Sequence, residues 1–245
     1  MTTSNVTSTV TSTDVEYSID GRRHVGYLAV PDGDGVGPGV LVCHEGPGLD
    51  AHAKMRADKI AGELGFVTFA LDYHGDGTPL PMAEVMPKLG ALMGSPDATR
   101  ALGQAGLDQL LAHPRVDPAK IAAIGYCFGG TMALELARGG VDLAAVVGFH
   151  SGLGTAGPAA AGAVKAKILV LIGVDDPIIP PEQRTAFEAE MNAAGADWQM
   201  HLYGGAAHSF TNAAADGSMM AGIKYHAPTD ARSWRAMVDM FEEVF

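Results

Sequence analysis

Apolar positions along the chain fall into short runs whose spacing alternates between that of strands and that of helices. Two alternating segments, 15–19 and 25–30, flank Asp20-Gly21 and predict an antiparallel hairpin. The next run, 39–43, is continuously apolar, as in a strand that is buried on both faces. From there strands and helices alternate to the end of the chain. This order predicts an α/β fold with a mostly parallel sheet and helices on both of its faces.

The alternation gives bounds for each later element. Strands are expected over 67–71, 121–125, 143–149, 167–173 and 198–203, and helices over 51–64, 82–93, 97–112, 181–194 and 230–244. A further helix, which follows strand 121–125, is expected to stop at Gly139. No repeat or linker interrupts this pattern, so residues 14–245 are expected to form one domain. The Ser/Thr-rich residues 1–13 are expected to form a flexible arm or an addition to the sheet edge.

Composition and charge narrow the class of protein. The chain has 245 residues, of which 47% are hydrophobic and 18% are charged, as in one large globular domain. Its formal net charge of −12 at pH 7 argues against nucleic-acid or anionic-membrane partners, which need clustered Lys and Arg. The longest apolar runs are strand-sized and too short to cross a bilayer. We therefore expect no membrane association and a monomer or small homo-oligomer.

The two cysteines of the chain bear on its compartment. Cys43 and Cys127 cannot form a disulfide framework, and the first residues show neither the basic head nor the apolar stretch of a secretion signal. A cytoplasmic location is expected, because a reducing compartment leaves thiols free. Cys43, inside a predicted buried strand, is expected to be an inert packing residue.

A short motif follows strand 121–125: GYCFGG places Cys127 between Gly125 and Gly129. The pattern G-x-C-x-G matches the nucleophile elbow G-x-S-x-G, with sulfur in place of oxygen. Glycine is needed at both flanks because this turn is strained and crowded by neighbouring backbone. Taken alone, the motif fits a small buried cysteine at a strand-to-helix junction equally well.

Two later loops supply the other groups that a cysteine nucleophile needs. Strand 167–173 runs into Asp175-Asp176-Pro177, and strand 198–203 runs into a glycine-containing loop with His208. Each could be an ordinary loop residue. The chain order of nucleophile, acid and base, with each group just after a strand, is nevertheless that of the α/β-hydrolases. Ligands of such sheets bind at the carboxyl ends of the strands, where these loops meet.

The motifs GYCFGG, GVDDP, GAAHSF and LVCHEGPG together resemble those of the dienelactone hydrolase family, which are cysteine-dependent α/β-hydrolases. The resemblance runs from about residue 25 to the last helix. It implies the α/β-hydrolase fold and a catalytic triad of Cys127, Asp176 and His208. Asp176 is preferred because it occupies the acid position of G-x-x-D-P, and Asp175 is the fallback. No cofactor and no metal are implied.

The physical roles of these residues follow from their surroundings. The N-terminus of a helix favours a thiolate at Cys127, and His208 can accept the thiol proton. The backbone N–H of Phe128, with one from the loop containing Glu45 and Gly46, would form an oxyanion hole. A carboxylate at Glu45 opposes ionisation of a nearby thiol. The family resemblance implies that Glu45 is a gate that holds the resting thiol, and a solvated loop glutamate is the alternative.

Sulfur also restricts the substrate. A thiolate leaves a tetrahedral intermediate more readily than an alkoxide does, so good leaving groups are favoured. The sequence predicts hydrolysis of a small carboxylic ester or lactone through a thioacyl-enzyme. A thioesterase or general esterase is the alternative enzyme. A small-molecule binding protein that keeps the fold without turnover is the alternative of another class.

The chain departs from the family at the substrate carboxylate site. Dienelactone-cleaving members hold that carboxylate with two arginines, and here Asp76 and Asn212 occupy these positions. We therefore expect a neutral or cationic substrate. The segment 78–95 is expected to wall or cover the pocket. Further candidates for its lining are Tyr126, Phe128, His150, Met219 and Met220.

Overall fold

The computed structural model describes residues 8–218 and 220–245 as an eight-stranded sheet with six helices. The strands are β1 Val10–Ile19, β2 Arg22–Pro31, β3 Gly37–Cys43, β4 Val67–Ala70, β5 Val116–Tyr126, β6 Ala145–Phe149, β7 Lys167–Gly173 and β8 Trp198–Tyr203. The helices are α1 Ala51–Leu64, α2 Met82–Met93, α3 Pro96–Leu111, α4 Phe128–Arg138, α5 Pro181–Ala194 and α6 Ala227–Val244.

The sheet runs in the order β1-β2-β4-β3-β5-β6-β7-β8. Strands β1 and β2 form the predicted hairpin, with Ile19 opposite Arg22, and β2 pairs antiparallel with β4. All other neighbouring strands are parallel. The predicted mostly parallel sheet is therefore confirmed. Its antiparallel part is confined to the edge that the first hairpin forms.

The first strand begins earlier than the sequence predicts. Val10 pairs with Pro31 and Thr13 with Leu28, so residues 10–13 belong to the sheet and not to a free arm. The hydroxyl of Ser12 donates a hydrogen bond of 2.6 Å to Asp58 of α1, which ties this edge to the helix layer. The expected arm is thus too long at this end, and the alternative of an edge strand describes residues 10–13. Residues 1–7 of that predicted arm lie outside the described residues.

Two apolar cores cover the two faces of the sheet. One contains Ala57 of α1 and Met237 of α6, and the other contains Leu107 of α3, Met132 of α4 and Phe187 of α5. Successive strand residues point to opposite faces. In β3, Val40 and Val42 accordingly join the first core, whereas Leu41 and Cys43 join the second. The helices therefore lie on both faces, as the continuous apolar runs predict.

This topology brings several loops to one edge of the sheet. Strands β3, β5, β6 and β7 are parallel neighbours, so the residues after their carboxyl ends lie side by side. Glu45 follows β3, Cys127 follows β5, His150 follows β6 and Asp176 follows β7. His208 follows β8 at the end of this row. The predicted chemical groups therefore share one edge.

Candidate active site

Cys127 lies in a strained turn between β5 and α4. Its backbone has φ 54° and ψ −121°, a conformation that costs energy for a residue with a side chain. The flanking glycines allow this turn. A Cβ on Gly125 would lie 2.1 Å from the carbonyl oxygen of Gly129, and one on Gly129 would lie 2.1 Å from that of Cys43. The backbone is therefore packed so closely that only glycine fits at either flank, as the elbow motif requires.

The structure brings His208 to Asp176. His208 Nδ1 lies 2.7 Å from Asp176 Oδ2, and both side chains are buried. The other carboxylate oxygen of Asp176 accepts the backbone N–H groups of Ile178 and Ile179, at 2.8 and 3.2 Å. A carboxylate can only accept, so the hydrogen of the neutral imidazole is on Nδ1 and Nε2 is free to act as a base. Asp175, the fallback acid, is exposed to solvent.

The charge state of His208 depends on its two neighbours. Burial opposes a positive imidazole, but the charge of Cys127 and the hydrogen bond to Asp176 outweigh it and raise the pKa of His208 to about 10. Nε2 has no hydrogen-bond partner among the described residues. Cys127 raises the pKa of His208 through its charge and, in addition, through its side-chain interaction with the imidazole. This arrangement can favour an imidazolium beside a thiolate.

Glu45 is buried, and its hydrogen bonds go to the loop that contains His208. Ser209 Oγ donates to Oε1 at 2.7 Å, and Asn212 Nδ2 donates to Oε2 at 2.5 Å. Within the described residues the carboxylate makes no hydrogen bond to Cys127. Burial raises the pKa of Glu45, and the bonds from Ser209 and Asn212 oppose that rise. The side chain is therefore neither solvated nor bound to the resting thiol.

Backbone donors are available beside the thiol. The N–H groups of Phe128, Glu45 and Gly46 are not hydrogen-bonded to any described residue. Phe128 is the first residue of α4, and the first N–H groups of a helix have no partner within the helix. Such donors can stabilise negative charge on a carbonyl oxygen. The Phe128 side chain is buried and packs 5.5 Å from the ring of Tyr73, which fixes the turn.

A cavity of about 360 Å³ opens at the thiol. Its wall contains Cys127, His208, Glu45, Gly46, Pro47, Asp50, Met82, Val85, Met86, Leu89, Ile178, Ser209, Asn212, Ala214, Ala215, Asp216, Gly217, Ser218 and Ile223. Four of these residues belong to α2, so one face of this helix, within the segment 78–95, forms part of the pocket wall. The charged carboxylates are those of Glu45, Asp50 and Asp216, and none of the wall residues is Lys or Arg. The cavity is thus apolar on one side and acidic elsewhere.

Three of the residues predicted to line the pocket lie elsewhere. Tyr126 is fully buried and stacks 4.8 Å from Phe149, within the core that α1 and α6 cover. His150 is also fully buried, and its Nδ1 accepts the backbone N–H of Cys127 at 3.2 Å. Asp76 faces Arg22, with 3.5 Å between Oδ2 and Nη2, so it does not give the cavity its charge. Of that group, only Asn212 is in the wall.

The two candidate methionines, Met219 and Met220, belong to the loop before α6. Met220 is exposed and is not part of the cavity wall, whereas Met219 lies outside the described residues. Cys43 is fully buried, and burial raises the pKa of its thiol, as expected for a packing residue.

Within the described ranges no cluster of three His, Cys, Asp or Glu side chains could hold a metal ion. No helix in the same ranges is long and apolar enough to cross a membrane.

Several site residues were not predicted from the sequence. Ser209, next to His208, has φ 54° and holds Glu45, and positive φ in a residue with a side chain cannot be read from one sequence. Asp50 is the N-cap of α1 and accepts from Ala53 N at 3.1 Å, a position that predicts a helix start and not a cavity wall. Asp216 lies in an irregular loop without such a signal.

Comparison with known proteins identifies the family. Residues 25–245 match the model of the dienelactone hydrolase family. The solved structure of m3DLH is 43% identical, with a TM-score of 0.91 over 96% of this chain and 99% of that one. A dienelactone hydrolase-like promiscuous phosphotriesterase from metagenomic libraries is 40% identical, with the same TM-score and coverage. An Aquifex aeolicus protein provisionally named a carboxymethylenebutenolidase is 29% identical over 81% of this chain and 86% of its own length. The chain therefore belongs to the dienelactone hydrolase family and has the α/β-hydrolase fold.

Proposed function

We propose that this hydrolase cleaves neutral carboxylic esters or lactones through a thioacyl-enzyme formed on Cys127. Membership of the dienelactone hydrolase family supports an ester or lactone substrate. The proposal adds the identity of the nucleophile and the charge of the substrate. One observation carries the proposal: the buried pair of Asp176 and His208 lies at the cavity into which Cys127 opens. The raised pKa of His208 supports a thiolate beside an imidazolium.

The chemical steps balance with these residues alone. The thiolate of Cys127 attacks the carbonyl carbon, a C–S bond forms, and the π electrons move to the carbonyl oxygen. The N–H groups of Phe128 and Gly46 stabilise that oxyanion. Collapse of the intermediate breaks the bond to the leaving oxygen, which takes the proton of the imidazolium of His208. A water molecule then attacks the thioester carbon, and His208 accepts one of its protons. Collapse of this second intermediate breaks the C–S bond, which releases the carboxylic acid and regenerates the thiolate of Cys127 beside the imidazolium.

Glu45 acts in this proposal as a gate near the nucleophile. Its charge disfavours a thiolate because Glu45 and Cys127 line the same cavity, and its two hydrogen bonds with Ser209 and Asn212 set where that charge lies. In this proposal, a substrate carbonyl that binds beside Glu45 changes the balance between the thiol and the thiolate of Cys127. The residue is a regulator of ionisation and not the base.

The walls of the cavity favour a substrate without negative charge. Met82, Val85, Met86 and Leu89 offer apolar surface to an acyl or alkoxy group, and the carboxylates of the wall repel an anion. No wall residue supplies the guanidinium that would bind a substrate carboxylate. We expect the methyl ester of a dienelactone to be a better substrate than the anionic dienelactone itself, by kcat/KM. The reverse order would refute the assignment of substrate charge.

The nucleophile is tested with variants of the two cysteines. Wild type, Cys127→Ala and Cys127→Ser are assayed with a panel of chromogenic esters, and Cys43→Ala is the matched control. We expect an acyl adduct on the peptide that contains Cys127, loss of turnover in Cys127→Ala, and normal turnover in Cys43→Ala. Equal rates in all four proteins would exclude Cys127 as the nucleophile. An absence of turnover on every ester and thioester would favour a non-catalytic binding protein.

A second candidate activity is hydrolysis of neutral phosphotriesters. The specific support is the structural neighbour described as a promiscuous phosphotriesterase, together with a cavity wall that has no Lys or Arg. A phosphotriester is uncharged and carries a good leaving group, so it meets both limits argued above. Comparing kcat/KM for an aryl ester, an aryl thioester and an aryl dialkyl phosphate separates the ester, thioesterase and phosphotriesterase assignments.

A further inference from the structure

A group of buried polar side chains lies behind Cys127 and outside the cavity wall. It comprises His150, Thr211, His52 and Arg56, all of which are almost completely buried. His150 follows β6 and has φ 41°, so it is a second strained residue beside the elbow. The reaction steps above use none of these four groups. Their hydrogen bonds nevertheless have directions that can be assigned.

The backbone of the elbow sets the direction of the hydrogen bonds at one end of this group. The backbone N–H of Cys127 can only donate, and it donates to Phe149 O at 3.0 Å and to His150 Nδ1 at 3.2 Å. Nδ1 of His150 therefore carries no hydrogen, and the hydrogen of the neutral ring is on Nε2. Nε2 lies 2.8 Å from Thr211 Oγ1, so it donates to that hydroxyl. His150 is thus held between the nucleophile's own backbone and Thr211.

The guanidinium of Arg56 sets the direction of the hydrogen bonds at the other end, because it also can only donate. Its Nε donates to His52 Nε2 at 3.3 Å, and its Nη2 donates to Thr211 O at 2.6 Å. The Thr211 hydroxyl, which accepts from His150, lies 3.3 Å from the same His52 Nε2 and donates to it. The remaining hydrogen of His52 is therefore on Nδ1, 3.8 Å from Glu45 Oε2. The hydrogen bonds therefore run from the elbow through His150 and Thr211 to His52 with one consistent direction, and they end there, because His52 Nδ1 has no hydrogen-bond partner among the described residues.

We propose that His150 is a positioning residue for the nucleophile: it accepts the amide hydrogen of Cys127 and holds the strained elbow, while Thr211 and Arg56 keep its ring in the required orientation. This inference rests on the proposed role of Cys127. The next peptide bond carries the Phe128 N–H, so the same contact sets both the sulfur and an oxyanion donor. Small displacements of either group reduce the rate strongly.

The electrostatic surroundings support an acceptor at this position. Burial, and then the charge of His208, lower the pKa of His150 well below its usual value, so Nδ1 stays free of a proton. The His150 and His208 rings are 5.2 Å apart in an edge-to-face arrangement. Burial and the Arg56 charge likewise lower the pKa of His52 to about 3, which leaves one hydrogen on that ring. A second proton on either ring would break the order of the chain.

The test compares His150→Asn with His150→Phe. The Asn side-chain oxygen can accept the Cys127 amide hydrogen where Nδ1 does, whereas Phe keeps a ring in the packing and removes the acceptor. We measure the acylation burst with an activated neutral ester and the rate of Cys127 alkylation by iodoacetamide, with a thermal midpoint for each variant. His150→Phe is expected to lower both rates ten- to a hundredfold. His150→Asn is expected to stay within about threefold of wild type.

A second pair of variants, at Thr211, tests the proposal even if His150→Phe does not fold. Thr211→Val deletes the hydroxyl that orients His150, and Thr211→Ser restores it. We expect Thr211→Val to slow acylation several-fold and Thr211→Ser to recover the wild-type rate. Wild-type alkylation and acylation in His150→Phe, or equal losses in the Asn and Phe variants at unchanged thermal midpoints, would overturn the proposal. If His150→Phe does not fold, equal rates in the two Thr211 variants would overturn it. Failure of the nucleophile assignment is seen separately, as turnover that survives Cys127→Ala.

Discussion

Asn212 Nδ2 donates to Glu45 Oε2 at 2.5 Å, in the wall of the cavity that Cys127 enters. The position at which an arginine was expected by family resemblance is thus a neutral amide bound to a buried carboxylate. Burial raises the pKa of Glu45, and the hydrogen bonds from Ser209 and Asn212 and the charge of His208 oppose that rise without cancelling it. The residue at position 212 therefore affects the net charge of the pocket, since it contacts the carboxylate of Glu45 directly.

Asn212→Arg should shift the substrate preference toward anions. A guanidinium in this wall would pair with Glu45 and offer its remaining N–H groups to a substrate carboxylate. We expect the ratio of kcat/KM for a carboxylate-bearing aryl ester to that for its methyl ester to rise by about tenfold, which corresponds to one charge-assisted hydrogen bond. The measurement is steady-state kinetics on both esters at constant ionic strength.

Asn212→Met is the matched control, since it has a similar unbranched length without charge. It should leave the ratio for the two esters near that of wild type. The effect of the arginine should also shrink as salt is added, because the interaction is partly screened at the pocket mouth. An equal change in the ratio for the Met and Arg variants would attribute it to shape and contradict the electrostatic explanation.

Asp176→Asn should narrow the pH range in which His208 is charged. In the folded protein, burial opposes the charge but Cys127 and Asp176 outweigh it, so the pKa of His208 is raised to about 10 from an unfolded value of about 6.5. Stability from this shift is complete below about pH 6.5 and is lost as the pH rises toward 10. Urea unfolding at several pH values across this window should show the loss in wild type and a smaller loss in Asp176→Asn.

Asp175→Asn provides the control, because Asp175 is exposed and adjacent in sequence. It should unfold with the wild-type pH dependence. The acylation rate with a neutral ester gives a second readout: because the leaving oxygen takes the proton of the His208 imidazolium, the decline of this rate at high pH should begin at lower pH in Asp176→Asn. If Asp175→Asn, and not Asp176→Asn, changed the profile, the acid of the site would be misassigned.

Gly129→Ala should destabilise the fold more than an ordinary glycine substitution. Its Cβ would lie 2.1 Å from the carbonyl oxygen of Cys43, and backbone on both sides must move to admit it. We expect a loss of roughly 2–4 kcal/mol in the free energy of unfolding. Gly90→Ala in α2 is the control: no atom lies within 4 Å of its Cβ position, so a gain of about 0.5–1 kcal/mol is expected. Equal effects at the two sites would contradict the packing argument.

The arrangement of strands and helices could be predicted because it depends on local periodicity. The bounds of α1, α2, α5, β7 and β8 match those expected from the apolar pattern. The meeting of Cys127, Asp176 and His208 at one edge also followed, since parallel strands end at a common edge. β5 is longer than predicted and begins at Val116, because its first five residues, VDPAK, do not form a continuous apolar run, yet Val116 still pairs with Gly37 of β3.

The direction of individual side chains at that edge could not be predicted in the same way. Tyr126 is the last residue of β5, and the alternation of the strand turns it into the core with Phe149. Asp76 has φ 64°, which turns this part of the loop toward Arg22. His150 faces the elbow backbone because of its own positive φ. The errors at Asp76 and His150 therefore arise from positive φ values, which one sequence does not specify.

The α2 wall should determine the length of the acyl chain that the enzyme accepts. Val85 is buried in this wall, and Val85→Phe would place a larger ring in a cavity of about 360 Å³. Each methylene buried on binding contributes about 0.8 kcal/mol, so displacing two or more from the pocket reduces kcat/KM by at least about tenfold. We expect this loss for p-nitrophenyl octanoate and little change for the acetate. Met93→Phe, at the exposed end of the same helix, should leave both esters unaffected. A uniform loss on both esters in Val85→Phe would instead indicate that the substitution disturbs the reacting groups, and it would exclude α2 as the acyl-binding wall.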